Sequence, residues 1–294
     1  QFTSALSWEV HAYVAYIAVL VTELYLSMRI DLARVAERAD GWRARFCGLL
    51  TLGRTDTSDA AAATDRTWLK RVGILGIPLA IFLVHGGTGV LFATAKARPY
   101  WNSGLFPIIF VISAVVSGTA LVALLYVLRT HLFDGASTDP NLLGLLGSLM
   151  AGFVVVDVAL TAIEALIALA SLHPHEVETW NIVLFGEMSW SFWWFMVGLG
   201  WLFPLVVLSN RSWRRRPGPI AVAGLSIVVG IVAVRFNIVV PPQILPVMDG
   251  LPHGSYFPTA VEWLTSVGMI GVGLLMYTVG AEFLPLTPLE RDHS

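Results

Sequence analysis

His85, Asp157, Glu164, Arg235 and Glu262 stand in stretches of sequence that are otherwise strongly apolar. Carboxylates and an imidazole in such surroundings are groups that exchange protons, and an arginine beside them holds negative charge in place. Their spacing is helical. Asp157, Thr161 and Glu164 fall at i, i+4 and i+7, which is one helical face. Glu187, Ser191 and Trp194 repeat that spacing, and Thr259, Glu262 and Ser266 follow at i, i+3 and i+7. His85 opens the run HGGTG at 85–89, and Arg235 stands two residues before Asn237. An ionisable group in a bilayer costs about 2.5–3.5 kcal/mol on insertion scales, so each needs a partner or a task. Any one of them could be a structural ion pair, and His85 is as readily a hydrogen-bonded structural imidazole as a ligand contact. One arginine cannot neutralise three carboxylates, so the set points to function.

The elements that carry these residues follow from composition. The chain has 294 residues, 56% hydrophobic and 13% charged, with a mean hydropathy of +0.73. Soluble domains carry about 25% charged residues, so this chain cannot clothe a globule in polar groups. A soluble enzyme, a nucleic-acid binder and a disordered chain are excluded. Seven stretches reach the ~20 apolar residues that a bilayer-crossing helix needs: 8–28, 72–95, 105–128, 142–172, 187–209, 218–239 and 256–284. Open sheet edges cannot face lipid. The predicted fold is therefore an all-α polytopic transmembrane helix bundle, a single domain over 1–294. Pro107, Pro204, Pro219 and Pro258 lie at or near predicted helix ends, and Pro78 in the first turns of the second span.

Loop charge sets the expected orientation. Fifteen Lys and Arg fall in loops 29–71, 129–141 and 210–217 and in the tail, against Lys96 and Arg98 on the opposite face. The N-terminus is expected outside and the C-terminus in the cytoplasm, with 29–71 an amphipathic or flexible cytoplasmic connection. In that topology His85, Glu164, Glu187, Arg235 and Glu262 all lie in the outer half of the membrane, with Asp157 near its middle. A polar, partly hydrated pocket opening outward is predicted. Tyr100, Trp101, Trp180, Trp213 and Tyr256 read mainly as the interfacial aromatic belt, and Gly86, Gly87 and Gly89 as close helix packing.

Net charge of −2 implies no polyanionic partner. The one cysteine, Cys47, provides neither a disulfide framework nor a metal ligand set. A membrane haem of the b type needs two facing histidines, and His85 alone lies well inside a span. No haem or metal is expected in this chain.

The run GIPLAIFLVHGGTGVLFATAKARPYWNSGLFPIIFVISAVVSG at 76–118 resembles the NrfD/polysulfide reductase membrane-subunit family, including its hydrogenase-type quinone-reactive subunits. LSW at 6–8, FWWFMVGLGWLFP at 192–204, RFN at 235–237 and YFPTAVEW at 256–263 extend the resemblance over nearly the whole chain. Members usually carry further helices ahead of the LSW span, which implies segments preceding Gln1 or a shortened member. Many also place a glutamate on the fifth span where this chain has Phe195 or Met196, so Glu187 would have to substitute.

The resemblance implies a membrane anchor that exchanges electrons between the quinone pool (menaquinone or ubiquinone) and an iron–sulfur subunit at the outer face. That partner would serve a molybdopterin or hydrogenase catalytic subunit in a prokaryotic cytoplasmic membrane. His85 is then expected to hydrogen-bond a quinone carbonyl, while Glu164 with Asp157 exchanges protons. Arg235, pairing with Glu262 or Glu164, would hold a carboxylate ionised and shape the pocket, with Tyr256 beside it. Arg98 and Trp101 on the outer loop would meet the iron–sulfur partner or the quinone head. Proton pumping would need an inner half-path, for which Glu23 and Glu282 are the available span acids. A secondary transporter or a purely structural anchor are the rival classes. The lack of internal repeats and the off-centre polar set weigh against the transporter.

Overall fold

The computed structural model describes residues 4–38, 40–131, 137–246 and 250–284. All regular structure among them is helical, and seven helices are long and apolar enough to cross a membrane. This is a multi-pass membrane protein. The helices are α1 (Ala5–Arg38), α2 (Trp42–Leu50), α3 (Asp59–Pro78), α4 (Gly86–Ala93), α5 (Phe106–Arg129), α6 (Pro140–Ser171), α7 (Pro174–Leu184), α8 (Phe203–Ser209), α9 (Pro217–Val239), α10 (Pro241–Ile244) and α11 (Ala260–Phe283). Two π-helical segments, Leu79–His85 and Ser191–Leu202, complete the second and fifth spans.

Prolines open helices, where the missing N–H has no intrahelical acceptor to satisfy. Pro107, Pro140, Pro174 and Pro217 all stand in first turns, whereas Pro204 lies inside the fifth span, two residues after its π segment ends. Pro78 also lies well inside a span, the second, which begins at Asp59 rather than 72, and the π segment starts at the next residue. A mid-helix proline frees a carbonyl one turn back, and the wider register re-satisfies the chain.

The chain divides into two compact units, residues 1–6 with 85–256, and residues 7–84 with 257–294. In the first, α9 is central, packed against α5 and the Ser191–Leu202 segment, while α5 also packs on α4 and α6. Gly200 and Gly230 bring two of these backbones together. A Cβ on Gly230 would overlap the Gly200 Cα, so the crossing tolerates no side chain. Ser191, Met196 and Trp201 are all buried at intervals of five. In an α-helix, five residues would leave neighbours about 140° apart. The i→i+5 bonding of a π-helix instead puts the three on one face. The connections 94–105 and 172–190 gather at one end of this unit with α10, and the connection 210–216 meets the start of α6 at the other.

The second unit changes the reading of 29–71. That stretch is mostly helical. The apolar stripe Met28, Leu32 and Val35 carries α1 to Arg38 and packs on Cys47 of α2. Arg29, only 1% exposed, donates to Asp65 Oδ2 at 2.5 Å and to the carbonyls of Arg54 and Asp56 at 2.9 and 2.8 Å. Arg54 reaches the other Asp65 oxygen at 3.3 Å, and the Tyr25 hydroxyl donates to the Thr51 carbonyl at 2.9 Å. A buried carboxylate with two arginines holds the turn between α2 and α3.

Candidate functional site

The site lies in the first unit, at the end that carries residues 94–105. α6 presents Glu164 there because its last turns follow the face that Asp157 begins. Glu164 is 7% exposed and accepts a hydrogen bond from Ser103 Oγ at 2.9 Å. Two spaces meet at this carboxylate. One is a cleft of about 450 Å³ between the 99–105 connection and the end of α6, with Tyr100, Ser103, Ser171 and Glu176 on its walls. The other is an inner chamber of about 30 Å³ among Tyr100, Thr161, Trp180, Met196 and Asn237. That volume admits a water or two, but not a ring. Trp180 Nε1 and Asn237 Oδ1 are buried without a hydrogen-bond partner, so the chamber wall offers one donor and one acceptor. Asn237 Nδ2 lies 3.5 Å from Met196 Sδ.

Tyr100, buried between the cleft and the chamber, keeps its proton well above the ordinary tyrosine range. Burial is the larger cause, and the Glu164 charge adds to it. It is therefore a standing hydroxyl donor. On the cleft rim, Glu176 accepts from Ser171 Oγ at 3.0 Å.

Deeper in α6, Asp157 is 1% exposed and accepts from Trp201 Nε1 at 3.1 Å, while its Oδ1 is buried without a partner. The Arg235 guanidinium stands 4.0 Å over the Phe110 ring, near enough for its charge to act on both His85 and Asp157. His85 closes the first π segment, half-buried.

The other expected site residues have structural neighbours. Arg98 donates to the carbonyls of Pro242 and Leu245 at 2.8 and 2.6 Å, and Trp101 Nε1 to that of Ile238 at 2.7 Å. The two side chains clamp the 94–105 connection onto the end of α9 and onto α10, which sets the position of Ser103. Tyr256 packs its ring 6.2 Å from Phe236. Glu262 belongs to the second unit, where it closes a capping box at the start of α11. It accepts from Thr259 N at 2.6 Å and Thr259 Oγ1 at 2.8 Å. Thr259 and Glu262 thus cap a helix terminus, while Ser266 Oγ donates to the Glu262 carbonyl at 2.8 Å. Glu187 lies in an exposed turn ahead of the fifth span, which starts at Ser191 rather than 187.

Sequence reasoning missed Ser103, Tyr100 as a site residue, Glu176 and Trp201. Trp201 stands in an almost wholly apolar run with no period to single it out, and the others depend on which chain ends meet. Among the described residues, no three metal-ligating side chains converge.

The sequence matches the family "Polysulphide reductase, NrfD" over residues 1–247. It is 37% identical to a selenate reductase subunit of Mesobacillus selenatarsenatis, over 99% of this chain and 70% of that protein. It is 31% identical to a putative dimethyl sulfoxide reductase membrane subunit of Halobacterium salinarum, over 99% and 68%. An Hdr-like menaquinol oxidoreductase integral membrane subunit of Archaeoglobus fulgidus is 30% identical over 71% of this chain and 57% of its own.

Proposed function

This chain belongs to the polysulphide reductase NrfD family, and on that premise we propose that it is the quinone-reactive membrane subunit of a respiratory oxidoreductase. The observation that carries the reading is Glu164, a buried carboxylate shared by a ring-sized cleft and a water-sized chamber. Relatives named as a menaquinol oxidoreductase subunit and a menaquinone reductase subunit support quinone as the ligand.

A quinone headgroup, when bound, supplies a couple that takes or gives two electrons and two protons. The chain's residues handle the protons. Glu164 holds or passes a proton at its free oxygen, and Ser103 orients the other. Tyr100 donates a hydrogen bond from a phenol that stays protonated. Glu176 continues the acidic lining toward solvent. Asp157, oriented by Trp201, is the inner acid, and Arg235 tunes it together with His85. Electrons are exchanged with an iron–sulfur partner docked at this end. There Lys96, Arg98 and His175 line a pocket of about 130 Å³, and its lysine and arginine offer positive charge to an acidic partner.

The test is purification from native membranes in mild detergent, identifying co-purifying polypeptides and extractable quinone. A bound quinone with an iron–sulfur protein is expected. A chain that purifies alone, with neither, overturns the proposal.

A further inference from the structure

At the end of the first unit opposite Glu164, α6 and the 210–216 connection enclose a groove of about 970 Å³. Arg211, Arg214, Arg215 and Arg216 all line it. A surplus of arginine in a loop is what the positive-inside rule explains; four guanidinium groups around one concavity are not. Like charges crowded together repel unless an anion joins them. Among the described residues, no carboxylate lines the groove. Asp139, the acid just before α6, instead caps that helix by accepting from Asn141 N at 2.8 Å.

The local construction holds the groove open. Asn141, Gly144 and Ser148 of α6 face it at helical spacing. A Cβ on Gly147 would come 3.0 Å from Arg214 Cγ and 2.8 Å from Ile220 Cδ1, so the bare backbone is what lets Arg214 lie along α6. Arg214 donates to Ser148 Oγ at 2.8 Å, while its Nε is buried without a partner. Two long helices start here, with Asn141 in the first turn of α6 and Arg216 at the N-cap position of α9. Leu145 lies beside the arginines at 57% exposure, as a surface for an acyl chain would.

We infer that this groove binds a phosphate group, carried by an anionic phospholipid or free in solution. The site is independent of the quinone reading, since it lies at the other end of the unit.

The test is native mass spectrometry of the detergent-purified chain with whatever subunits accompany it, titrated with phosphatidylglycerol, cardiolipin, phosphatidylcholine or inorganic phosphate. Arg214→Gln/Arg215→Gln removes the two charges whose side chains lie against Gly147 and Gly144 of α6. Arg211→Gln/Arg216→Gln removes the other two and spares the Arg214 contact with Ser148. Arg45→Gln/Arg66→Gln, on exposed residues of the second unit, matches the charge loss elsewhere. Each basic residue near an anionic surface contributes roughly fivefold in affinity. Either groove variant is therefore expected to weaken phosphatidylglycerol and cardiolipin binding by about thirtyfold, with phosphatidylcholine weak throughout and the Arg45/Arg66 variant unchanged. Saturation by inorganic phosphate alone, lost in the groove variants, supports the anion site with free phosphate as its source. Equal weakening by all three variants, or by none, overturns the inference.

Discussion

Replacing Glu164 by glutamine tests the centre of the mechanism. The substitution keeps volume and shape, and the amide oxygen can still accept from Ser103 Oγ, now 2.9 Å from the carboxylate. Packing around a residue 7% exposed should therefore survive. What is lost is the capacity to take and return a proton. A positioned acid or base contributes 10²–10⁴-fold. The neighbouring cleft of about 450 Å³ gives water partial access, so the lower end applies: about 10²-fold in quinol turnover, or ~2.7 kcal/mol of barrier. The assay is quinol-driven reduction of the accompanying redox subunits in native membranes, followed across the acid and neutral range, with quinone affinity measured in parallel. Turnover should fall while affinity stays near the wild-type value. Wild-type turnover with an unchanged pH profile would refute the proton role. A fall in affinity alone would make Glu164 a binding group instead.

Ser103→Ala removes one hydrogen bond to that carboxylate and is expected to slow turnover by about tenfold, the worth of a bond to a charged group. Arg29→Ala leaves Asp65 buried with Arg54 alone, costing about 3 kcal/mol in detergent unfolding. The apolar pair Arg29→Leu/Asp65→Leu should recover most of it. Gly230→Ala forces the Gly200 crossing apart, at about 1–3 kcal/mol by the same measurement. Burial pushes the Cys47 thiol up, against the opposing Arg43 charge. Maleimide should therefore label Cys47 only after unfolding. Above about pH 8.5 the unfolded thiol releases a proton that the folded one retains. This contribution to stability is present below that pH and is lost as pH rises through it; native-state labelling at neutral pH would contradict the burial.

The spans were legible because hydropathy is summed over consecutive residues, and the apolar stretches reappear within a few residues at most ends. The large departures have local causes. α1 runs on to Arg38 because its apolar stripe continues past the membrane-length stretch to pack on α2. The second span begins at Asp59, where Ser58 caps it by accepting from Ala61 N. The Thr259–Glu262 spacing was visible, but a capping box and a polar face share the same i, i+3 geometry. Asp157 and Glu164 were readable as one face of α6; their partners Trp201 and Ser103 lie 44 and 61 residues away.

Sequence alone determined that this is a seven-span helical membrane protein, which buried acids stand on α6, and where arginines concentrate. Each of these depends on residue type and local spacing, which lipid solvation reads directly. Tertiary structure decided which acids share a cavity, that Arg98 and Trp101 act as clamps, and that four arginines surround one groove. Those facts depend on side chains far apart in sequence meeting where helices cross, and the crossings follow from backbone contacts such as Gly200 on Gly230 that no local pattern encodes.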